Sequence, residues 1–184
     1  VQSSILVSDS SYKSQIENAY FKLSQIKLNI MTKLLGKSLI SIRDIREEIQ
    51  EDRKQIVKLR DQVKKSLHVI NQLLESEKDQ EFIVEVRRLY SDITEGMKGF
   101  LAYLYRTTQE DCDSPPCDYV VIGLGSMALQ QITPYSDLEF AILTENDAYR
   151  KSSDAKVKHY FTVLSHLVNF RVINLGETII PTSK

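Results

Sequence analysis

The sequence predicts an α+β chain, with an antiparallel helical bundle in residues 1–110 and a small α/β core in residues 118–184. Up to about Arg106 the apolar residues recur every three or four positions, which is the period of one helix face. After Pro115-Pro116, short β-branched runs alternate with helical patterns, which is typical of strands joined by helices.

The composition of the chain argues against nucleic acid and membranes as partners. Of 184 residues, 42% are hydrophobic and 27% charged, and 24 Lys and Arg face 25 Asp and Glu. This balance gives no overall positive field for nucleic acid or anionic lipid. Apolar runs such as YVVIGL are far shorter than the roughly 20 residues that cross a bilayer. We therefore expect a cytoplasmic protein with no membrane partner, for which nucleic acid is disfavoured.

Both ends of the chain indicate a piece of a longer, multidomain protein. The first residue is Val1 rather than Met, and VQSSILVSDS has no basic-then-apolar signal pattern. The last residues, IIPTSK, follow directly on an apolar run. We expect further domains outside this segment, and part of the α/β core to lie outside it as well.

Three helices are expected between about Ser10 and Arg106. The second begins near Ser41, a residue type favoured as an N-cap, and runs into QLLES. Short polar breaks near Gly36 and Ser76 would join the three helices as an antiparallel bundle. The apolar positions are Tyr12, Ile16, Ala19, Leu23, Ile26 and Ile30 in the first helix, Ile49, Ile56, Val63 and Ile70 in the second, and Phe82, Val86, Leu89, Ile93, Met97, Phe100 and Leu104 in the third.

The seven-residue repeat of the second helix leaves an intermolecular coiled coil as an alternative. The partner position of that repeat reads Ile45, Asp52, Leu59, Ser66. Its polar residues interrupt the two-residue seam that a coiled coil needs, which favours packing within one chain.

After the boundary at residues 111–117, DYVVIGL, DLEFAIL and FRVINL are predicted strands. MALQQ is predicted to be a short helix after the first strand, and residues from about Ala155 to Val168 a longer amphipathic one. Cys112 and Cys117 lack the partner ligands of a zinc site, so we expect two reduced thiols, with a local disulfide as the alternative.

The stretch GLGSMALQQITPYSDLEFAIL combines groups that suit a metal-bound phosphate. Gly125 allows close approach of the backbone to a ligand, and Ser126 adds a hydroxyl beside the N–H groups that open the next helix. On a strand, Asp137 and Glu139 would point to the same face, with Cα atoms roughly 6.5–7 Å apart. Two acids so placed can hold Mg²⁺ together with phosphate oxygens of a substrate, although such a pair can also simply face solvent.

The same stretch resembles the polymerase β-type nucleotidyltransferases. Their signature is a strand, a Gly-Ser pair, a spacer and then Asp-x-Asp/Glu, and here ten residues separate Ser126 from Asp137. PYSD at residues 134–137 is similar to the branch that contains the uridylyltransferase of the bacterial nitrogen-signalling protein. The likeness covers about residues 118–145, and related domains of that branch often follow a helical segment.

This resemblance implies a polymerase β-like fold for the core and a reaction with two metal ions. Gly125 and Ser126 would bind the triphosphate of an NTP. Asp137 and Glu139 would be the catalytic residues and the ligands of Mg²⁺ or Mn²⁺. A nucleoside monophosphate would pass to a hydroxyl of a protein or small-molecule acceptor, with an RNA end disfavoured by the near-neutral charge.

Two departures from the family pattern keep other functions open. Leu129 and Gln131 stand where the branch usually has Arg and Glu. The third carboxylate of the superfamily is also missing from FRVINL, where Asn174 occupies the polar end. It would be Glu177, lie beyond Lys184, or be absent. The alternatives are a catalytically inactive nucleotide-binding module that regulates its neighbours, and a helical interaction or scaffold fragment.

Overall fold

The computed structural model describes residues 15, 18–19, 21–33, 36, 41–76, 78–145 and 155–175. Within these residues the chain is mostly helical with one two-stranded antiparallel sheet, which confirms the α+β class in general terms. The elements are α1, helical at residues 21–33, α2 (Ile42–Glu75), α3 (Asp79–Glu110), β1 (Tyr119–Gly123), α4 (Gly125–Ala128), β2 (Phe140–Thr144) and α5 (Ala155–Asn174).

The chain divides into two compact units. One consists of Val1–Glu51 with Phe170–Lys184, and the other of Asp52–Asn169. Two helices contribute to both units, since α2 crosses the boundary after Glu51 and α5 crosses it after Asn169. The domains expected from the sequence, residues 1–110 and 118–184, stay a prediction.

The start of α2 is the cap that the sequence predicts. The Ser41 hydroxyl accepts a hydrogen bond from the Asp44 N–H at 3.2 Å, and the Asp44 carboxylate accepts one from the Ser41 N–H at 2.8 Å. This reciprocal arrangement satisfies donors at the first turn that have no acceptor within the helix. The hydrogen bond from the Ser41 backbone, followed by that from its hydroxyl, lowers the pKa of Asp44.

The buried face predicted for the first helix is confirmed only in part, since Leu23 and Ile30 are half-buried and Ala19 is exposed. Ile26 is 49% exposed, whereas Ser24, Lys27 and Met31 are buried. Tyr12 and Ile16 lie outside the described residues. The buried face of this helix includes Lys27 because Glu48 of α2 neutralises its charge. A hydrophobic period cannot predict a buried face that contains a lysine.

Glu48 bridges two buried cations in this first unit. Its carboxylate pairs with the ammonium of Lys27 and, at 3.1 Å, with the guanidinium of Arg171 near the end of α5. The side chains of Lys27 and Arg171 are only 3% and 2% exposed. Buried cations are tolerated only when they are paired and hydrogen-bonded, so Glu48 ties together three helices of this unit.

In the second unit, α2 and α3 are antiparallel neighbours. Only residues 76–78 separate them, and a methyl group of Leu59 on α2 lies against Gly96 on α3. The face predicted for α3 is largely confirmed, because Leu89, Ile93, Met97, Phe100 and Leu104 are all buried. Asp52, expected as a polar interruption, is itself buried.

The sheet packs against α3 and α5. β1 and β2 pair antiparallel, with Tyr119 opposite Thr144 and Gly123 opposite Phe140. Phe140 meets Tyr105 of α3 edge to face at a centroid distance of 5.5 Å, and Tyr119 meets Phe161 of α5 at 5.1 Å. Such aromatic pairs add to the stability gained by burying their area.

The prediction of a third strand at FRVINL was wrong. Its first five residues, Phe170 to Asn174, are the last turns of α5, which is continuous from Ala155. Burial at Leu164, Leu167, Val168 and Arg171 shows that the helical period simply continues. Helical packing therefore overrides the strand preference of the β-branched residues in this segment.

In the linker before the sheet, Cys112 and Cys117 are both thiols rather than a disulfide. α3 ends at Glu110 and β1 begins at Tyr119, so residues 111–117 connect a long helix to the sheet.

Replacing the bridging carboxylate should destabilise the protein far more than replacing its neighbour. Glu48→Gln removes the negative charge that pairs with both buried cations, so we expect a loss of about 3 kcal/mol in the free energy of unfolding. Glu47→Gln is the matched control, because its pair with Arg43 is 61% and 85% exposed. That control should cost less than about 0.5 kcal/mol. Equal denaturant midpoints for the two variants would contradict the role given to Glu48.

Candidate functional site

The Gly-Ser turn follows β1 directly. β1 ends at Gly123, α4 begins at Gly125, and the Leu124 N–H donates to the Glu139 carbonyl at 2.8 Å. This bond fastens the turn to the residue just before β2. The first bond that closes α4 comes from the Met127 N–H, so the N–H groups of Gly125 and Ser126 have no acceptor within the helix.

Gly125 is required at its position for two physical reasons. Its φ is +52°, in the left-handed region that L side chains rarely adopt. A Cβ atom built there would overlap the Glu139 carboxylate, whose Cδ lies 2.9 Å from that point. The structure therefore brings together two residues that the sequence selected independently, and their contact depends on the missing side chain.

Asp137 and Glu139 precede β2, which begins only at Phe140, so their placement on a regular strand was wrong. The reason is that pairing with β1 ends at Gly123, opposite Phe140. Exposure still alternates, since both acids are exposed while Leu138 is half-buried. The two carboxylates thus share the solvent side of an extended segment beside the turn.

The predicted short helix is also altered. α4 spans only four residues and ends at Ala128, while Leu129 and Gln130 form a turn. A helix this short has little macrodipole. Any attraction of phosphate to this place would come from the N–H groups of Gly125 and Ser126 and from the half-buried Ser126 side chain.

A compact turn leads from α4 to the acids. The Thr133 N–H donates to the Ser136 hydroxyl oxygen at 3.0 Å, and the Ser136 N–H donates to the Thr133 carbonyl at 3.1 Å. Ile132 is fully buried before this turn, and Pro134 is buried within it. The lead-in to Asp137 is therefore anchored by its own hydrogen bonds and by packing.

Arg60 of α2 fixes the same turn from outside. Its guanidinium donates to the Pro134 carbonyl from Nη2 at 2.8 Å and from Nε at 3.2 Å, and lies 4.2 Å from the Tyr135 ring centroid. Arg60 and Pro134 are 74 residues apart in the chain. Sequence reasoning missed Arg60, which lies in a mixed-charge stretch that resembles any solvated helix face.

Asp137 and Glu139 are the two carboxylates that the described residues place at the candidate site. Among the residues that the structure describes, no three His, Cys, Asp or Glu side chains form a group able to hold a metal ion. Glu177 lies outside the described residues, and Asn174 lies in α5 rather than on a strand. In the same part of the chain, no helix has the length and apolar character to cross a membrane.

Comparison of the chain with protein-family models, with curated proteins and with solved structures found no match.

Adding a methyl group at Gly125 should destabilise the protein, because it meets both the left-handed backbone and the Glu139 carboxylate. We expect Gly125→Ala to lower the free energy of unfolding by about 1–2 kcal/mol from the backbone alone. In the Gly125→Ala/Glu139→Ala variant the collision is relieved, so part of the total loss should be recovered. Denaturant unfolding of the full mutant cycle measures this recovery.

Gly99→Ala is the control for this cycle. Gly99 lies in α3 and a Cβ there meets nothing within 4 Å, so alanine should raise stability by up to about 1 kcal/mol. If the changes in the free energy of unfolding caused by Gly125→Ala and by Glu139→Ala are strictly additive, the two residues are not in contact.

Arg60 should be irreplaceable by lysine at the turn. An ammonium cannot reproduce both the pair of hydrogen bonds that converge on the Pro134 carbonyl oxygen and the contact of the guanidinium with the Tyr135 ring, so Arg60→Lys should cost about 1–2 kcal/mol. Hydrogen exchange of residues 133–139 should accelerate in the same variant. Arg87→Lys, an exposed position on α3, is the control and should change stability by less than about 0.5 kcal/mol. Unchanged exchange at the turn would refute the anchoring role.

Proposed function

We propose that Gly125, Ser126, Asp137 and Glu139 form a nucleotidyltransferase site of the polymerase β type. The observation that carries the proposal is the contact between Glu139 and Gly125, since it sets a carboxylate directly against a turn with two unused N–H groups. Transfer of a nucleoside monophosphate requires a ligand for the metal ion and hydrogen-bond donors for the phosphate oxygens, both at one place.

Each of these residues has a defined task in the proposed reaction. The N–H groups of Gly125 and Ser126, with the Ser126 hydroxyl, donate hydrogen bonds to phosphate oxygens of the NTP. Asp137 and Glu139 hold Mg²⁺ or Mn²⁺, which supplies the positive charge that offsets the phosphates. The acceptor oxygen forms a bond to the α-phosphorus, the bond from that phosphorus to the oxygen bridging to the β-phosphate breaks, and pyrophosphate leaves. The hydroxyl proton passes to solvent water.

The exposure of the acids agrees with this role. Both carboxylates lie on the solvent side of their segment, where a metal–nucleotide complex can reach them. Their charges repel each other in the absence of a cation, so neutralising them should not harm the fold. A structural acid pair would behave in the opposite way, because its loss leaves buried donors unsatisfied.

A nucleotide-binding module without catalysis is the second candidate. Leu129 favours it, because this position in the family branch usually carries an arginine and here an apolar side chain is 68% exposed. The change removes a cation from the neighbourhood of the phosphates. Metal-dependent nucleotide binding without product would select this second candidate.

The acceptor is a protein side chain or a small molecule, since the chain carries 24 cations against 25 anions and offers no long positive surface. Further domains of the full-length protein would present that acceptor, and the cytoplasm would supply NTP and Mg²⁺.

Neutralising both acids should abolish the response to ligand without harming the fold. We expect Asp137→Asn/Glu139→Gln to melt at or slightly above the wild-type temperature without ligand. Mg²⁺ with NTP should raise the wild-type midpoint, by linkage of binding to folding, and should leave the double variant unmoved. Differential scanning fluorimetry with each of the four NTPs measures both effects.

Glu145→Gln is the matched control, an exposed acid just after β2, and it should retain the full ligand response. A double variant that is much less stable alone, yet still shifted by Mg²⁺ and NTP, would refute the metal-ligand role of these acids.

A further inference from the structure

A polar groove lies between the middle of α2 and the carboxyl half of α3. Its volume is about 480 Å³, within the range of small-molecule sites. The polar lining is Gln55, Lys58 and Gln62 from α2, with Tyr103 and Arg106 from α3. None of the residues of the proposed nucleotidyltransferase site lines it.

The groove is a local departure from the balanced charge of the chain. Residues 53–60 of α2 contain four Lys and Arg and no acid, and residues 96–109 of α3 contain two and no acid. Elsewhere both helices mix the two signs, as the exposed ion pairs Lys64–Asp61 and Arg88–Glu85 illustrate. The lining contains two cations, two amides and a phenol, and it contains no carboxylate. Such a lining favours an anion.

The space in the groove is kept open by glycine. Gly99 lies in the interior of α3 and faces the groove, and a Cβ at this position would meet no atom within 4 Å. Glycine in a helix interior is unfavourable relative to alanine. Nothing in the packing of the described residues therefore requires glycine there, whereas a ligand that needs the room would.

An aromatic surface adjoins the two cations. Phe100 and Tyr103 stack with their centroids 6.3 Å apart and an angle of 23° between the rings. Phe100 is buried, so its partner Tyr103 is held in place with part of its ring exposed to the groove. A planar group of a ligand can pack on such a surface.

We propose that this groove binds a small phosphorylated molecule without a divalent cation. Lys58 and Arg106, one from each helix, bind the phosphate oxygens, Gln62 donates a further hydrogen bond, and Tyr103 packs against a planar part of the ligand. The inference does not rest on the nucleotidyltransferase proposal, since the two sites share no residue and differ in their need for metal.

Calorimetric titration in the presence of EDTA tests the proposal, with ATP, pyrophosphate and adenosine as probes and the whole chain as the receptor. ATP and pyrophosphate should bind saturably at one site, and adenosine should not. Tyr103→Leu should weaken the binding of ATP more than that of pyrophosphate, and an equal effect on the two ligands would contradict the packing role of Tyr103. Lys58→Gln/Arg106→Gln should weaken binding about tenfold or more, because it removes two charged donors.

Two further variants separate the groove from general charge and from unfolding. Lys54→Gln/Lys98→Gln makes the same change of charge in the same acid-free segments, outside the lining, and should leave the affinity within about twofold. Gly99→Leu should fill the groove and weaken binding while its melting temperature stays at or above that of wild type. Absence of saturable binding in EDTA, or equal losses in both lysine-containing double variants, would overturn the proposal.

Discussion

The missing side chain at Gly125 is the constraint on which the candidate site depends. The turn after β1 has a left-handed residue at this point, and the Glu139 carboxylate occupies the space that a Cβ would fill. Any other residue would separate the acid from the turn. The contact gives the Gly-Ser pair and the acid pair one location, whereas the sequence had only related them by spacing.

A second restraint reaches the site from the helices. Arg60 holds the carbonyl of Pro134 and stacks on Tyr135, so the segment that ends at Asp137 is attached to α2 rather than only to its own sheet. α2 and α3 form an antiparallel pair in the same unit, and Tyr105 of α3 packs on Phe140 at the start of β2. The helical region therefore positions both acids, one through a turn and the other through the end of a strand.

The sequence predicted correctly those features that depend on residues close together in the chain. The Ser41 cap, the buried face of α3, and β1 followed by a glycine turn all depend on residues a few positions apart. The sequence failed where distant partners decide. Lys27 is buried because Glu48 pairs with its ammonium, and FRVINL is helical because α5 continues its buried stripe. Arg60 contacts a residue 74 positions away. Neither the hydrophobic period of a segment nor the helix or strand propensity of its residues predicts such long-range contacts.

The most direct test of the central claim is paramagnetic broadening by Mn²⁺ of backbone amide signals in the labelled protein. If the turn and the acids form one metal–nucleotide site, Mn²⁺ with NTP should broaden the signals of Gly125, Ser126 and Glu139 first. The Asp137→Asn/Glu139→Gln variant should lose this selective effect. Broadening that is strongest near other acids, or that is identical in the variant, would contradict the claim that these residues form the site.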